Sequence, residues 1–238
     1  PTSFTFDGSA HSTTAVIAQE PATSCALAPS GDYPRTHAGS TALAATCSGS
    51  NYDASGSATL DVAAKSVTIA LSGLGPWVYD GSAHPATVSV GGEVAGFAAT
   101  VTVTYTGSTI APSAVGSYAV VAALDAAVTD YVATPASGVL VIGAQNATVT
   151  LGDLGAVYDG TAHAASATTQ PSGLAVSLTY DGSGTAPTNA GSYAVVATIT
   201  TPGYSGAASG TLVITKASAT VTIGDTTQAW DGTPRAVS

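Results

Sequence analysis

Charge is what this sequence has least of. Only 8% of its 238 residues are charged, against about 25% in typical soluble domains. Methionine is absent, and Lys and Arg together number 4. The cations are Lys65, Lys216, Arg35 and Arg235, and they are scattered. A nucleic-acid partner needs clustered cations against phosphate, so none is expected. The same shortage speaks against docking on anionic lipid. The net charge of −10 comes from dispersed carboxylates that solubilise the chain and form no acidic tail. Long hydrophobic runs are missing too. The apolar stretch Tyr118–Leu124 is far too short to cross a bilayer, and nothing reads as a signal peptide. No membrane insertion is expected, and the chain reads as a mature or excised piece of an exported protein.

Catalytic equipment is equally scarce. Glu20 and Glu93 are the only glutamates, and they fall in unrelated places, so a general acid/base pair has little to build on. No Gly-x-Ser-x-Gly elbow, phosphate loop or dinucleotide fingerprint occurs. No Asp-x-Asp-x-Asp loop suggests calcium. The sequence therefore predicts a protein that is not an enzyme, with no catalytic residues, no cofactor and no metal site.

What is present is turns and small or β-branched residues. There are 27 Gly and 12 Pro, and Ala, Thr, Ser and Val fill the space between them. That mixture suits pleated sheet and disfavours long helices. The chain also repeats itself. Phe6-Asp7-Gly8-Ser9-Ala10-His11 returns as Tyr79-Asp80-Gly81-Ser82-Ala83-His84, as Tyr158-Asp159-Gly160-Thr161-Ala162-His163 and as Trp230-Asp231-Gly232-Thr233-Pro234-Arg235. The Asp residues stand 73, 79 and 72 residues apart. A second element recurs as Ala38-Gly39-Ser40, Val115-Gly116-Ser117-Tyr118 and Ala190-Gly191-Ser192-Tyr193. A third closes each unit: Ala58-Thr59-Leu60, Gly138-Val139-Leu140-Val141-Ile142 and Gly210-Thr211-Leu212-Val213-Ile214. Three elements in one order establish the duplication, and the period exceeds the roughly 20–50 residues of a solenoid. It suits small domains with their own cores.

Each unit reads as β. Tyr118, Val120, Ala122 and Leu124 share one face of a strand, as do Tyr193, Val195, Ala197 and Ile199. Asp-Gly after an aromatic residue predicts a tight hairpin turn. The expected fold class is all-β, with tandem small Ig-like or β-grasp-like modules arranged linearly. The expected boundaries are 1–65, 66–145, 146–217, and 218–238 as the start of a fourth module. The strand that precedes Asp159 at Ala147–Leu151 would, for Asp7, lie before Pro1, so the first module is expected without it. The joints at Ala64-Lys65-Ser66, Ala144-Gln145-Asn146 and Thr215-Lys216-Ala217-Ser218 are short and not Gly/Ser-rich. Beads on a stiff string are expected, which small-angle scattering would register as an elongated particle.

Individual residues then take structural readings. His11, His84 and His163 occupy one repeated position, replaced by Arg235 in the fourth copy, and each is placed to cap the turn carbonyls or to bond the Asp of its turn. Asp7, Asp80, Asp159 and Asp231 are turn formers. Tyr105 and Tyr180 read as core. Trp77, before a turn, is the one candidate for stacking on a sugar or other ligand. The segment Gly91–Ala99 is an extra loop of the second module, unlike its counterparts, and such a loop would support a binding role. Cys25 and Cys47, the only cysteines, are expected to form a disulfide. Alignment sets Cys47 at the inward place of Ile199, and Thr41 and Ala28 where the other modules have core tyrosines.

With these motifs in hand, the chain resembles the MBG repeat family of bacterial surface proteins. The shared pattern is Tyr-Asp-Gly-x-x-His, then Ala-Gly-Ser-Tyr, then Gly203-Tyr204-Ser205-Gly206 and a closing Gly-Thr-Leu-x-Ile strand. Residues 147–216 match best, and the first module, with Thr41 and the cysteines, departs most. The resemblance implies a large exported protein at the bacterial surface or in a secreted filament. Its segment would be a structural stalk or shaft; the alternative is an adhesin module that binds a glycan or protein ligand. The partners expected are adjacent repeats or other copies of the chain.

Overall fold

The computed structural model describes residues 2–18, 20–224, 227, 229, 230 and 232–234, and of residues 2 and 20–24 the backbone only. Among them every regular element is a strand. The chain divides into two compact units, residues 1–143 and 144–238. The first holds two copies of the repeat and the second holds one.

The first module runs β1 (Thr2–Thr5), β2 (Val16–Ile17), β3 (Glu20–Ser24), β4 (Ala26–Pro29), β5 (Gly39–Ser48) and β6 (Asp53–Ala63). The second runs β7 (Lys65–Ser66), β8 (Thr68–Ser72), β9 (Trp77–Val78), β10 (Thr87–Gly91), β11 (Val101–Tyr105), β12 (Gly116–Leu124), β13 (Tyr131–Val132) and β14 (Ala136–Gly143). The third repeats that order as β15 (Gln145–Asn146), β16 (Thr148–Gly152), β17 (Gly155–Val157), β18 (Ser166–Gln170), β19 (Val176–Tyr180), β20 (Gly191–Ile199), β21 (Tyr204–Ser205) and β22 (Ala207–Thr215).

The third module shows the design. Its main sheet has the order β17-β22-β20-β19, with β17 parallel to β22 and the rest antiparallel. The alternation in β20 sends Val195, Ala197 and Ile199 inward and leaves Val196 half-exposed outside. The second layer is the pair β16–β18. Its Leu151, with Leu154 just beyond, caps a core of Ala165, Tyr180, Val195, Leu212 and Ile214. Gly210 permits this approach, since a Cβ there would already stand 3.2 Å from Leu151 and Leu154. The second module repeats the scheme with Leu71 and Leu74 over Tyr105, Val120, Leu140 and Ile142.

Tyr180 joins the two layers. Its ring is in the core, and its hydroxyl accepts the Ala165 N–H at 2.8 Å in a buried bond. Tyr105 does the same for Ala86 N–H at 2.8 Å. Tyr180→Phe strands a buried amide, so a loss of about 1–3 kcal/mol is expected in urea unfolding.

Three expectations are corrected. First, Asp-Gly does not close a hairpin. Gly81 has φ +81°, but Asp80 is not among the positive-φ residues, as a type I′ turn requires. β9 runs parallel to β14 and β10 pairs with β8, so the Asp-Gly corner carries the chain from one layer to the other. Second, Pro29 and not Ala28 faces Leu43, the pairing that Tyr105 makes with Val120. The tyrosine is not lost: Tyr33, four residues on, accepts the Thr13 N–H at 3.1 Å and donates to Thr13 O at 2.6 Å. Third, Ala219–Ile223, expected as the first strand of a fourth module, forms no strand, and Val221 is 91% exposed. Asp231 and Arg235 of the expected turn lie outside the described residues.

Candidate functional site

Two features recur or stand out, the Asp-Gly-x-x-His corner and the joint between the first two modules. At each corner the Asp carboxylate caps the turn it begins. Ser9 N–H donates to Asp7 Oδ1, Ser82 N–H to Asp80 Oδ1 and Thr161 N–H to Asp159 Oδ1, each at 2.8 Å. The histidine four residues on returns to the same oxygen. His11 Nε2 is hydrogen-bonded to Asp7 at 3.0 Å. His84 and His163 come to 3.2 and 3.1 Å of their Asp, near enough for an ion pair but off the angle of a hydrogen bond. The corner is therefore a local clamp. Among the described residues no three His, Cys, Asp or Glu side chains gather as a metal site.

These carboxylates are held below the ordinary carboxylate pKa. For Asp7 and Asp80 the largest cause is the backbone N–H of Ser9 or Ser82, and for Asp159 it is the Thr161 hydroxyl, followed by the Thr161 backbone N–H. A depressed folded-state pKa gives stability that is present above the unfolded value of about 3.9. It is lost as pH falls through the folded value. Asp80→Asn keeps an acceptor for Ser82 N–H but does not titrate, so a shallower acid dependence of stability below about pH 4 is expected in unfolding curves taken at stepped pH.

Trp77 sits beside one such corner. Its indole stacks on His84 with centroids 4.7 Å apart, and its Nε1 donates to Gly73 O at 3.0 Å. It is 39% exposed. Phe4 holds the same repeat position and stacks on His11 at 4.3 Å, whereas the third module has Ala156 there. Glu93 is a loop brace, accepting the Ala99 N–H; the Glu20 side chain lies outside the described residues. Cys25 and Cys47 are bonded, with Cα atoms 4.4 Å apart.

The joint is the part that sequence reasoning missed. Its linker is itself a strand: β7 pairs in parallel with β13, and Lys65 N–H and Val67 N–H donate to Asp130 O and Val132 O. β15 pairs with β21 in the same way. The extra loop, expected to be a candidate binding element, is folded onto the first module. Phe6, fully buried, meets Phe97 and Tyr131 edge-on at 5.2 and 5.4 Å, within a core that also takes Val62, Val67 and Val94. The Tyr131 hydroxyl accepts Val94 N–H and donates to Phe97 O, which fixes the loop. Asp130 reaches across, 2.6 Å from His37 Nδ1, and accepts Ala38 N–H at 2.7 Å. Gly8 is needed here: a Cβ would lie 2.8 Å from Val94 and 2.9 Å from Phe97. The equivalent Gly81 and Gly160 face open space. The first two modules thus share a core, where separate beads were expected. The only advance signal was the loop itself, apolar at Val94 and Phe97 and without a counterpart in the other modules.

Taken together, these features define a repeat-built all-β chain whose linkers are strands of the module that follows. It belongs to the MBG domain family, which matches three times in succession, at residues 2–66, 67–146 and 147–218. That repeat is typical of surface proteins. No curated protein matches the chain. No helix among the described residues is long and apolar enough to cross a membrane.

Proposed function

We propose that this segment is a non-catalytic spacer, a stalk or filament shaft, in a large secreted bacterial surface protein. The observation that carries the reading is the first joint. A spacer must resist bending, and bending here would expose the apolar faces of Phe6, Phe97 and Tyr131 and break the Asp130 contacts with His37 and Ala38. The loop that offered the best distinct surface for a ligand is consumed in that contact.

Spin labels at Thr59 and Ala119, one in each of the first two modules, are expected to give a narrow distance distribution. The double variant Asp130→Ala, Phe97→Ala is expected to broaden it. A broad distribution in the unaltered chain would overturn the spacer reading at this joint.

The alternative is an adhesin that binds a glycan or protein ligand, and one observation favours it. Trp77 keeps 39% of its surface exposed although His84 stacks on it and Gly73 holds its N–H. Glycan-array binding that Trp77→Ala abolishes would move the assignment to this reading.

A further inference from the structure

An aspartate followed by glycine is a labile step in any polypeptide. The glycine nitrogen attacks the aspartate Cγ and a C–N bond forms. The carboxyl hydroxyl leaves with the amide proton as water, and a five-membered succinimide results. Water then opens the ring. Cleavage of the new C–N bond restores aspartate. Cleavage of the original peptide bond gives isoaspartate, with the main chain rerouted through Cβ and Cγ and a carboxylate left on Cα. Glycine favours the attack because it has no Cβ to obstruct it. Closure expels a carboxyl oxygen as water, so the neutral acid reacts and the carboxylate does not. This chain has such steps at Asp7, Asp80, Asp159, Asp181 and Asp231. All but Asp181 belong to the repeated corner, so damage there would recur in module after module.

The carboxylates of Asp7, Asp80, Asp159 and Asp181 are all exposed, so access to water does not distinguish them. What holds Oδ1 does. Asp80 Oδ1 accepts Ser82 N–H at 2.8 Å, with His84 Nε2 at 3.2 Å. Asp159 Oδ1 accepts the Thr161 N–H at 2.8 Å and its hydroxyl at 2.7 Å, with His163 Nε2 at 3.1 Å. Asp7 Oδ1 accepts Ser9 N–H at 2.8 Å and is bonded to His11 at 3.0 Å. Asp181 lies instead at the tip of the β19–β20 hairpin. Its Oδ1 accepts Ala194 N–H at 2.8 Å, and no histidine pairs with it among the described residues. Donors on a carboxylate favour its charged form, which is the unreactive one. The corner carboxyls are accordingly held below their ordinary pKa, chiefly by the Ser82 N–H for Asp80 and by the Thr161 hydroxyl for Asp159.

We propose that the Asp-Gly-x-x-His corner is a chemical guard, in which the donors and the histidine gathered on Oδ1 keep the Asp-Gly steps of the repeat from converting to isoaspartate. The geometry shows what conversion would disrupt. Isoaspartate adds one atom to the main chain. At Gly8 there is no room for it, since even a Cβ would lie 2.8 Å from Val94 and 2.9 Å from Phe97. At Asp80 it would displace His84 from its stack on Trp77.

The test ages the full chain for several weeks, warm and near neutral pH, then digests it and reads isoaspartate site by site by mass spectrometry. Free peptides spanning residues 76–86, 155–165 and 178–185 supply the unguarded rates. Asp80 and Asp159 are expected to convert about tenfold or more slowly than in their peptides, since a hydrogen bond to a charged group must be given up first. Asp181 is expected to be slowed less. Equal slowing at all three sites would show that folding alone protects, and would overturn the proposal. His84→Ala should raise conversion at Asp80 several-fold and leave Asp159 unchanged. His163→Ala should do the reverse, so each variant carries its own control. Trp77→Ala loosens the packing around His84 without removing a partner of Asp80, and conversion there should stay low. Unchanged conversion in both histidine variants, or a rise in Trp77→Ala equal to that in His84→Ala, would also overturn the guard. Thermal unfolding of each variant establishes that it is folded during ageing.

Discussion

Phe6→Ala is expected to remove about 3–5 kcal/mol from the unit that contains the first two modules, the usual cost of deleting a fully buried aromatic ring. Phe6 has no exposed surface and two aromatic neighbours edge-on, so the ring carries both transfer and packing energy. The more telling effect is on cooperativity. Phe6 belongs to the first module and Phe97 and Tyr131 to the second, so their shared core is what lets the two unfold together. Calorimetry should show the transition of residues 1–143 split into two on substitution. The control is in the repeat itself. Tyr158 holds the equivalent position in the third module and is 41% exposed, so Tyr158→Ala should cost under about 1 kcal/mol. Equal losses at the two positions would mean that Phe6 acts within its own module and that the joint does not couple the pair.

That contrast marks how far the sequence could be read. The repeat showed that Phe6, Tyr79 and Tyr158 are equivalent, and the alternation in β12 and β20 showed which residues face inward. Both are local periodicities, and local periodicity is what a single chain displays. Burial at a joint is decided by a residue 91 positions away, Phe97, which no period links to Phe6. The Asp-Gly corner failed for a related reason. Asp and Gly announce a turn, but whether the flanking strands pair with each other depends on partners elsewhere. Here β9 finds β14 and β10 finds β8. The histidine of that corner was legible as a partner of its own turn, and of the two partners open to it, the turn carbonyls and the Asp four residues away, the structure shows the Asp. Tyr33 shows the opposite case. Alignment reported a missing core tyrosine at the position of Tyr105, and the structure supplies the same hydroxyl from four residues later in the chain.

The first module is also where loss of a covalent bond should matter most. Pro29 and Thr41 stand where the other modules have core tyrosines, and Cys25–Cys47 ties β5 to the residue that leads into β4. The cysteines stand where the second and third modules place the apolar pairs Val101–Leu124 and Val176–Ile199. A crosslink between residues 22 apart in sequence limits the unfolded chain and is worth about 3 kcal/mol by loop entropy. Reduction should therefore lower the urea midpoint of the first module by the equivalent of about 3 kcal/mol and leave that of residues 144–215 unchanged. The variant Cys25→Val, Cys47→Ile restores the apolar pair of the third module without the bond. Since the variant lacks the constraint on the unfolded chain, it should remain near the reduced protein in stability and well below the oxidised one. A variant as stable as the oxidised protein would show that packing at this position, and not the constraint on the unfolded chain, is what the cysteines provide.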